Sequence, residues 1–404
     1  MPPTLLRRAI VLGLLSAVGA FAIDMYTPGF AAIARDFSTG PGQVQMSMTV
    51  YFLALAAGQV LYGPASDALG RRRPIFAGLA LFGAGSIIAA AAPGIGVLIA
   101  ARFAQGLGAA ATAVIPMAVI SDEHSGPDAA RLLSLAMLSL SVSPILAPSF
   151  GGILVQYVSW RVIFLALLLI ACAAALMVAR MLPETLPPAR RVRTGPRRMF
   201  MNYGRLIADR RFIMPLLVGG SAQSVLLVFI SGAPFVFVSL RGVSPVAYGA
   251  IFALHAAALI GISQFNAPLL RRFPVQRLLR DACSVMAIAA LALATLVLAN
   301  IASLWAFVAL TLIMFTCLGL ILAPAFLAAV AAFSDTAGAA AALGVALQLS
   351  ISTTMTLILS VSADGTARPM VILMALGSCA SFAAWVVFAK APPDLVKETT
   401  PNVF

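Results

Sequence analysis

The chain has thirteen aspartates and glutamates. Twelve fall in loops or at the ends of apolar runs. Asp24 alone lies inside one, in the stretch Ala22-Ile-Asp-Met-Tyr-Thr-Pro-Gly29. A carboxylate placed in hydrocarbon costs a few kcal/mol, so it normally faces a cavity and carries a task. The plainer alternative is a hydrogen bond between helices. Among the 26 basic residues Arg102 has the same standing, the one guanidinium inside an apolar run, with Gln105 three residues on and on the same helix face. Its plainer alternative is an arginine snorkelling to an interface. The two histidines, His124 and His255, form no ligand cluster, and the four cysteines show no paired spacing. No paired acids or nucleophile–base pair stands in the apolar runs, which argues against an embedded enzyme. The available chemistry is the gain and loss of one proton at Asp24.

The elements that hold these residues are set by composition. The chain is 62% hydrophobic and 10% charged, with mean hydropathy +1.03. Apolar runs of about twenty residues, each able to cross about 30 Å of hydrocarbon, mark a polytopic membrane protein. The runs do not alternate, so they read as helices rather than barrel strands. Twelve are expected, near 9–30, 44–66, 74–92, 96–120, 131–156, 160–182, 212–239, 246–268, 279–300, 303–330, 337–361 and 368–389, with the join near Asn300 the least distinct. Arg7 and Arg8 precede a run too long for a cleaved leader, so the first span is expected to be retained. Twenty-one basic residues fall in loops on the side of the N-terminus and only Arg35, Arg161, Arg241 and Arg368 on the other. This asymmetry predicts cytoplasmic termini and accounts for the net charge of +13 without nucleic acid. The longest connection, 183–211, is basic and separates six spans (1–182) from six spans with a short tail (212–404). Two repeated bundles with a site between them follow as an expectation. The linker's charge also suits anionic lipid.

Between the second and third spans stands Gly63-Pro-Ala-Ser-Asp67-Ala-Leu-Gly70-Arg71-Arg72-Arg73-Pro74. Gly63 suggests close helix approach, Gly70 a sharp turn, and Asp67 a helix cap or an arginine partner. The spacing Gly-x-x-x-Asp-x-x-Gly-Arg-Arg resembles the signature loop of the major facilitator superfamily of secondary transporters. The resemblance implies an all-α membrane protein with twelve transmembrane helices in two six-helix bundles. It also implies a gating role for Asp67, Gly70, Arg71 and Arg72, with Gly63 beside them. Arg102-x-x-Gln105-Gly106-x-Gly108 is similar to that family's fourth-span motif, in which the arginine serves proton coupling. Ser143-Pro144-Ile-Leu-Ala147-Pro148-Ser-Phe-Gly151-Gly152 is similar to its antiporter motif, carried here by Pro144, Pro148, Gly151 and Gly152. Ser143 and Ala147 stand where glycine is usual.

With Asp24-Met-Tyr26-Thr-Pro28, these motifs resemble the bicyclomycin-resistance (Bcr/CflA) branch of drug–proton antiporters. Some related transporters carry a second acid two turns earlier. Here that position is Ser16, leaving Asp24 alone. The resemblance implies efflux of small lipophilic drugs, bicyclomycin or phenicol types among them, across a bacterial inner membrane. A proton gradient would drive it, with no cofactor, and membrane lipid would surround a monomer. An exporter of an endogenous metabolite such as an amino acid or siderophore would share the fold, and a passive channel is a further alternative. Asp24, Tyr26, Gln105, Phe235, His255 and Gln348 are the expected substrate contacts. For His255 and Gln348, interhelical hydrogen bonding stands as the alternative. For Phe235 and its neighbours Phe229 and Phe237, the alternative is core or lipid packing.

Overall fold

The computed structural model describes residues 3–123, 126–191, 196–331, 333 and 337–389. Lys390, Lys397 and the linker's Arg193 lie outside them, as do the side chains of Arg190, Arg197 and Arg198. The described residues are helical with no strand, as hydrocarbon demands of a backbone that must bond within its own segment. Among the described residues eleven helices are long and apolar enough to cross a membrane, and Val142–Tyr157 is a shorter apolar one. That shorter stretch lies largely within the expected fifth span, 131–156.

One compact unit comprises Met1–Thr194 and Phe237–Ala253. Its helices are α1 (Pro3–Asp24), α2 (Phe30–Asp36), α3 (Pro41–Leu69), α4 (Arg72–Ala90), α5 (Ile95–Glu123), α6 (Gly126–Tyr157) and α7 (Trp160–Met181). Helix α5 packs on α3 and α4, and α1 packs on α6, α5 and α7. Gly106 and Gly108 make the α5 crossings possible: a Cβ on either would overlap backbone atoms, of Tyr51 and of Gly78 and Phe82. No such need exists at Gly63, where an added Cβ meets nothing within 4 Å. The close approach expected there is absent among the described residues.

The expected first span runs as one candidate span, Arg7–Asp36, tightened locally. α1 ends at Asp24, a turn follows, Thr27–Gly29 form one 3-10 turn, and α2 resumes at Phe30. Pro28 explains the tightening, since it offers no backbone N–H and crowds the preceding turn. Asp24 is therefore the last residue of a helix rather than part of its middle.

The other unit comprises Gly195–Val236 and Leu254–Phe404. The helices beyond the linker are α8 (Pro196–Ala208), α9 (Arg210–Pro234), α10 (Pro245–Ser263), α11 (Asn266–Arg272), α12 (Val275–Leu298), α13 (Leu304–Ala331), α14 (Ala337–Val361) and α15 (Arg368–Ala389). The end of α9 continues as a π-helix over Phe235–Leu240. Within this unit α9 packs on α13, α14 and α15, and α12 on α13 and α15. The join near Asn300 is a turn with Asn300 at φ +59°, a conformation asparagine tolerates. The linker is not featureless. Its α8 seats Leu206 against Phe212, Leu216, Ala329, Ala340 and Leu343.

The segment Phe237–Ala253 groups with the first unit. The glycines explain it. Gly152 abuts the Pro245 carbonyl and Gly249 the Pro148 carbonyl, at distances where any Cβ would collide.

Candidate functional site

The turn after α1 directs two side chains into the first unit. Asp24 is buried at 5% exposure, and its Oδ2 accepts a hydrogen bond from Ser143 Oγ at 3.2 Å. Thr27 Oγ1 donates to the Asp24 carbonyl at 3.1 Å, closing the turn. Two residues along, Tyr26 is fully buried and its hydroxyl meets Ser47 Oγ at 2.7 Å. The Tyr26 ring lies 4.4 Å from the Arg102 guanidinium carbon, and the Tyr51 ring lies 4.2 Å from it. The Tyr51 hydroxyl donates to the Gly19 carbonyl of α1 at 2.9 Å.

Arg102 is thus a completely buried cation held by two aromatic rings. It donates to Gln105 Oε1 at 2.9 Å and to Met48 Sδ at 3.5 Å. Gln105 passes the tie on to Ser86 Oγ at 2.8 Å. The Arg102 Nε has no acceptor among the described residues. Nor do Arg102 and Asp24 form an ion pair with each other. The snorkelling alternative is excluded by the burial. Desolvated cation–π contacts are worth about 2 kcal/mol each, so the rings stand in for the carboxylate that a buried guanidinium normally requires.

The proline- and glycine-rich stretch of α6 meets the turn after α1 directly. On α6, Gly151 faces the Met25 backbone so closely that a Cβ would overlap its carbonyl group. Ser143, two turns earlier, reaches Asp24. Pro144 and Pro148 stand inside a continuous α6. The sequence reading treated Ser143 only as a departure from glycine, yet it supplies the hydrogen bond to the carboxylate. Tyr51, Met48 and Ser86 were missed as well. Met48 and Tyr51 stand three residues apart on one face of α3, the only linear signal available; Ser86, on α4, leaves none.

The loop between α3 and α4 forms a second constellation. The Arg71 side chain is 7% exposed and spans Asp122 through Nε (2.8 Å) and Nη2 (3.1 Å). Its Nη1 reaches Ser66 Oγ at 2.8 Å and Asp67 Oδ1 at 2.6 Å. Glu184 accepts the backbone N–H groups of Arg71 (2.7 Å), Arg72 (3.3 Å) and Leu186 (3.1 Å). Burial works against ionisation of Glu184, but these three N–H donors and the nearby Arg191 charge outweigh it and hold its carboxyl below its ordinary value. Gly70 has φ +88°, and a Cβ there would stand 2.6 Å from Glu184 Oε2. The turn therefore demands glycine for both conformation and space. Asp122 and Glu184, invisible as partners in the linear pattern, complete this network.

The remaining expected residues lie in the second unit. His255 is buried, with Nε2 2.8 Å from Thr311 Oγ1 and its ring 5.0 Å from both Phe229 and Phe315. This is the interhelical alternative, realised between α10 and α13. Gln348 is 7% exposed, and its Nε2 lacks a partner among the described residues. It occupies the space left by Gly219. Phe235 is partly buried in the π-helical turn.

Residues 12–355 match the model of the Major Facilitator Superfamily. The chain is 36% identical over 257 residues to an uncharacterized MFS-type transporter, YdgK, of Bacillus subtilis, covering 63% of this chain and 64% of that one. It is 27% identical over 276 residues to a bicyclomycin resistance protein homolog of Haemophilus influenzae, covering 68% and 69%. It is 33% identical over 258 residues to multidrug resistance protein D of Escherichia coli, covering 60% and 64%. The matched stretch thus spans somewhat under two thirds of the Bacillus and Escherichia relatives. Among solved structures, the inward-open xylose transporter XylE of E. coli aligns with TM-score 0.75 at 13% identity, covering 96% of each chain. A D-xylose–proton symporter aligns with TM-score 0.70 at 15% identity, covering 97% of each. At such identities these two establish the fold.

Proposed function

The chain belongs to the Major Facilitator Superfamily, and from that premise we propose that it exports drugs by proton-coupled alternating access. The observation that carries this reading is the buried Asp24 carboxylate at the end of α1, bonded to Ser143 and two residues from Tyr26, whose ring meets the buried Arg102 guanidinium. The names of the Haemophilus and Escherichia relatives supply the substrate class. The arginine asymmetry of the loops supports cytoplasmic termini in a bacterial inner membrane.

Ionised Asp24 accepts a charge-assisted hydrogen bond from Ser143. Protonation reduces this to a neutral bond of about half the strength. The tie between the end of α1 and the antiporter helix α6 then weakens. Arg102 reads the same event through Tyr26, two residues beyond Asp24, whose ring it grips. A proton entering from outside and a drug entering from the cytoplasm compete for the same two-state element, which is the thermodynamic requirement for exchange. The Arg71–Asp122–Glu184 network holds the α3–α4 loop within the first unit, as a gating role for that loop requires.

The test is efflux from vesicles containing the purified full chain, under an imposed pH gradient, with a panel of lipophilic antibiotics. Asp24→Asn should express and fold normally and lose gradient-driven transport. Transport by that variant at the wild-type rate would refute coupling through Asp24. A sharp saturation profile for one amino acid or siderophore would replace drug with metabolite as the cargo.

A further inference from the structure

We propose that the first unit carries a binding site for the phosphate headgroup of an anionic phospholipid, built from Arg7, Arg8, Arg72 and Arg180. A cavity of about 440 Å³ lies between the start of α1 and the end of α7, lined by these four arginines and by Ala179, Met181, Leu182 and Pro183. Three of the guanidinium groups are anchored to consecutive carbonyls of the last turn of α7. Arg72 Nη2 donates to Ala179 at 3.2 Å, Arg7 Nη2 to Arg180 at 3.1 Å, and Arg8 Nη1 to Met181 at 2.9 Å.

These bonds fix the arginines but do not consume them. A guanidinium has five N–H donors. Arg7 and Arg72 each spend one in this way, and Arg8 spends a second on Glu123 at 2.7 Å. The Arg180 side chain has no acceptor among the described residues. Four positive charges line the cavity and no carboxylate does; Glu123 pairs with Arg8 and Glu184 accepts the Arg72 backbone N–H from outside the lining, beside the weak negative end of the α7 dipole. Four cations held around one space repel one another unless an anion joins them. The donor forks suit phosphate oxygens.

The surroundings identify which phosphate. Ile10 stands three residues beyond Arg7 on α1, and Leu176 four residues before Arg180 on α7. Each shares a helix face with its arginine. They are 50% and 51% exposed, and each lies about one turn further into its apolar span than its arginine. A free phosphate has no use for that surface, whereas the acyl chain below a headgroup does. Basic pockets between spans are where anionic headgroups bind. The site is independent of what the protein transports.

The test is lipid titration of the purified full-length protein in neutral detergent, read by native mass spectrometry. The probes are phosphatidylglycerol, cardiolipin, phosphatidylcholine and inorganic phosphate. Phosphatidylglycerol or cardiolipin should bind saturably, phosphatidylcholine at least tenfold more weakly. Millimolar inorganic phosphate should not displace the bound lipid. Arg7→Gln with Arg180→Gln should weaken anionic-lipid binding about 30-fold, from about fivefold per arginine at a charged surface. Arg73→Gln removes an exposed charge next to the site but outside its lining and should change binding less than twofold. Equal binding of phosphatidylcholine, displacement by inorganic phosphate, or an equal loss in Arg73→Gln would each overturn the proposal. If the double variant does not fold, the wild-type selectivity between lipids and the phosphate competition decide alone.

Discussion

Replacing Gly151 by alanine places a methyl group where α6 already touches the turn after Asp24. The added Cβ would lie 2.9 Å from the Met25 carbonyl carbon and nearer still to its oxygen, whereas ordinary contact begins at 3.4 Å. Backbone cannot swing aside as a side chain can, so α6 must retreat by at least about 0.5 Å, an overpacking strain of about 1–3 kcal/mol. The Ser143–Asp24 hydrogen bond, 3.2 Å in the native arrangement, then stretches to about 3.7 Å and ceases to be one. Gly151→Ala should therefore melt earlier than wild type and lose gradient-driven transport out of proportion to its loss of stability. Gly63→Ala is the matched control, because a Cβ there meets open space; it should change the melting temperature little. Thermal unfolding followed by intrinsic fluorescence and transport in vesicles read the two effects. Wild-type stability and transport in Gly151→Ala, or equal losses in both variants, would refute the claim that Gly151 acts by seating α6 on the Asp24 turn.

Arg102→Lys keeps the charge but loses the flat guanidinium between two rings and its fixed donors; it should destabilise the protein by about 1–3 kcal/mol, measured as a fall in melting temperature, and an unchanged value would deny the aromatic clamp. Arg71→Lys cannot span Asp122 while also reaching Ser66 and Asp67, and should cost about 1.5–3 kcal/mol on the same assay. Glu184 has its carboxyl held below the ordinary value of 4.5, so its contribution is complete above about pH 4.5 and is lost as pH falls through the lower folded value. Acid unfolding of Glu184→Gln should be less steep in that window, and an identical acid limb in both proteins would show that Glu184 does not hold the loop.

How much of this was legible in the chain itself varies by element. Span number and the loop signature were readable because hydrocarbon imposes long apolar runs, and because a short turn with φ above zero admits glycine and little else. Asp24 and Arg102 stood out for the same reason: a charge in such a run is costly enough to be conspicuous. Their partners were not legible. Ser143 looked like a blemish in a glycine motif, and Asp122 and Glu184 looked like ordinary loop acids, since a hydrogen bond between residues over fifty or a hundred positions apart leaves no mark on linear spacing. The expected value of Gly63 was likewise misjudged, because a glycine's worth depends on what stands opposite it.

By itself, the order of residues determined that this chain lives in a membrane as a bundle of helices, and which two charges would be expensive there. Those are properties of transfer from water to hydrocarbon, summed locally along the chain. Only the tertiary structure decided that the carboxylate ends a helix rather than occupying its middle, that a serine accompanies it, and that two tyrosine rings take the place of an acid beside the arginine. Those depend on which backbones approach within a few ångströms, and packing distance is a property of the folded whole.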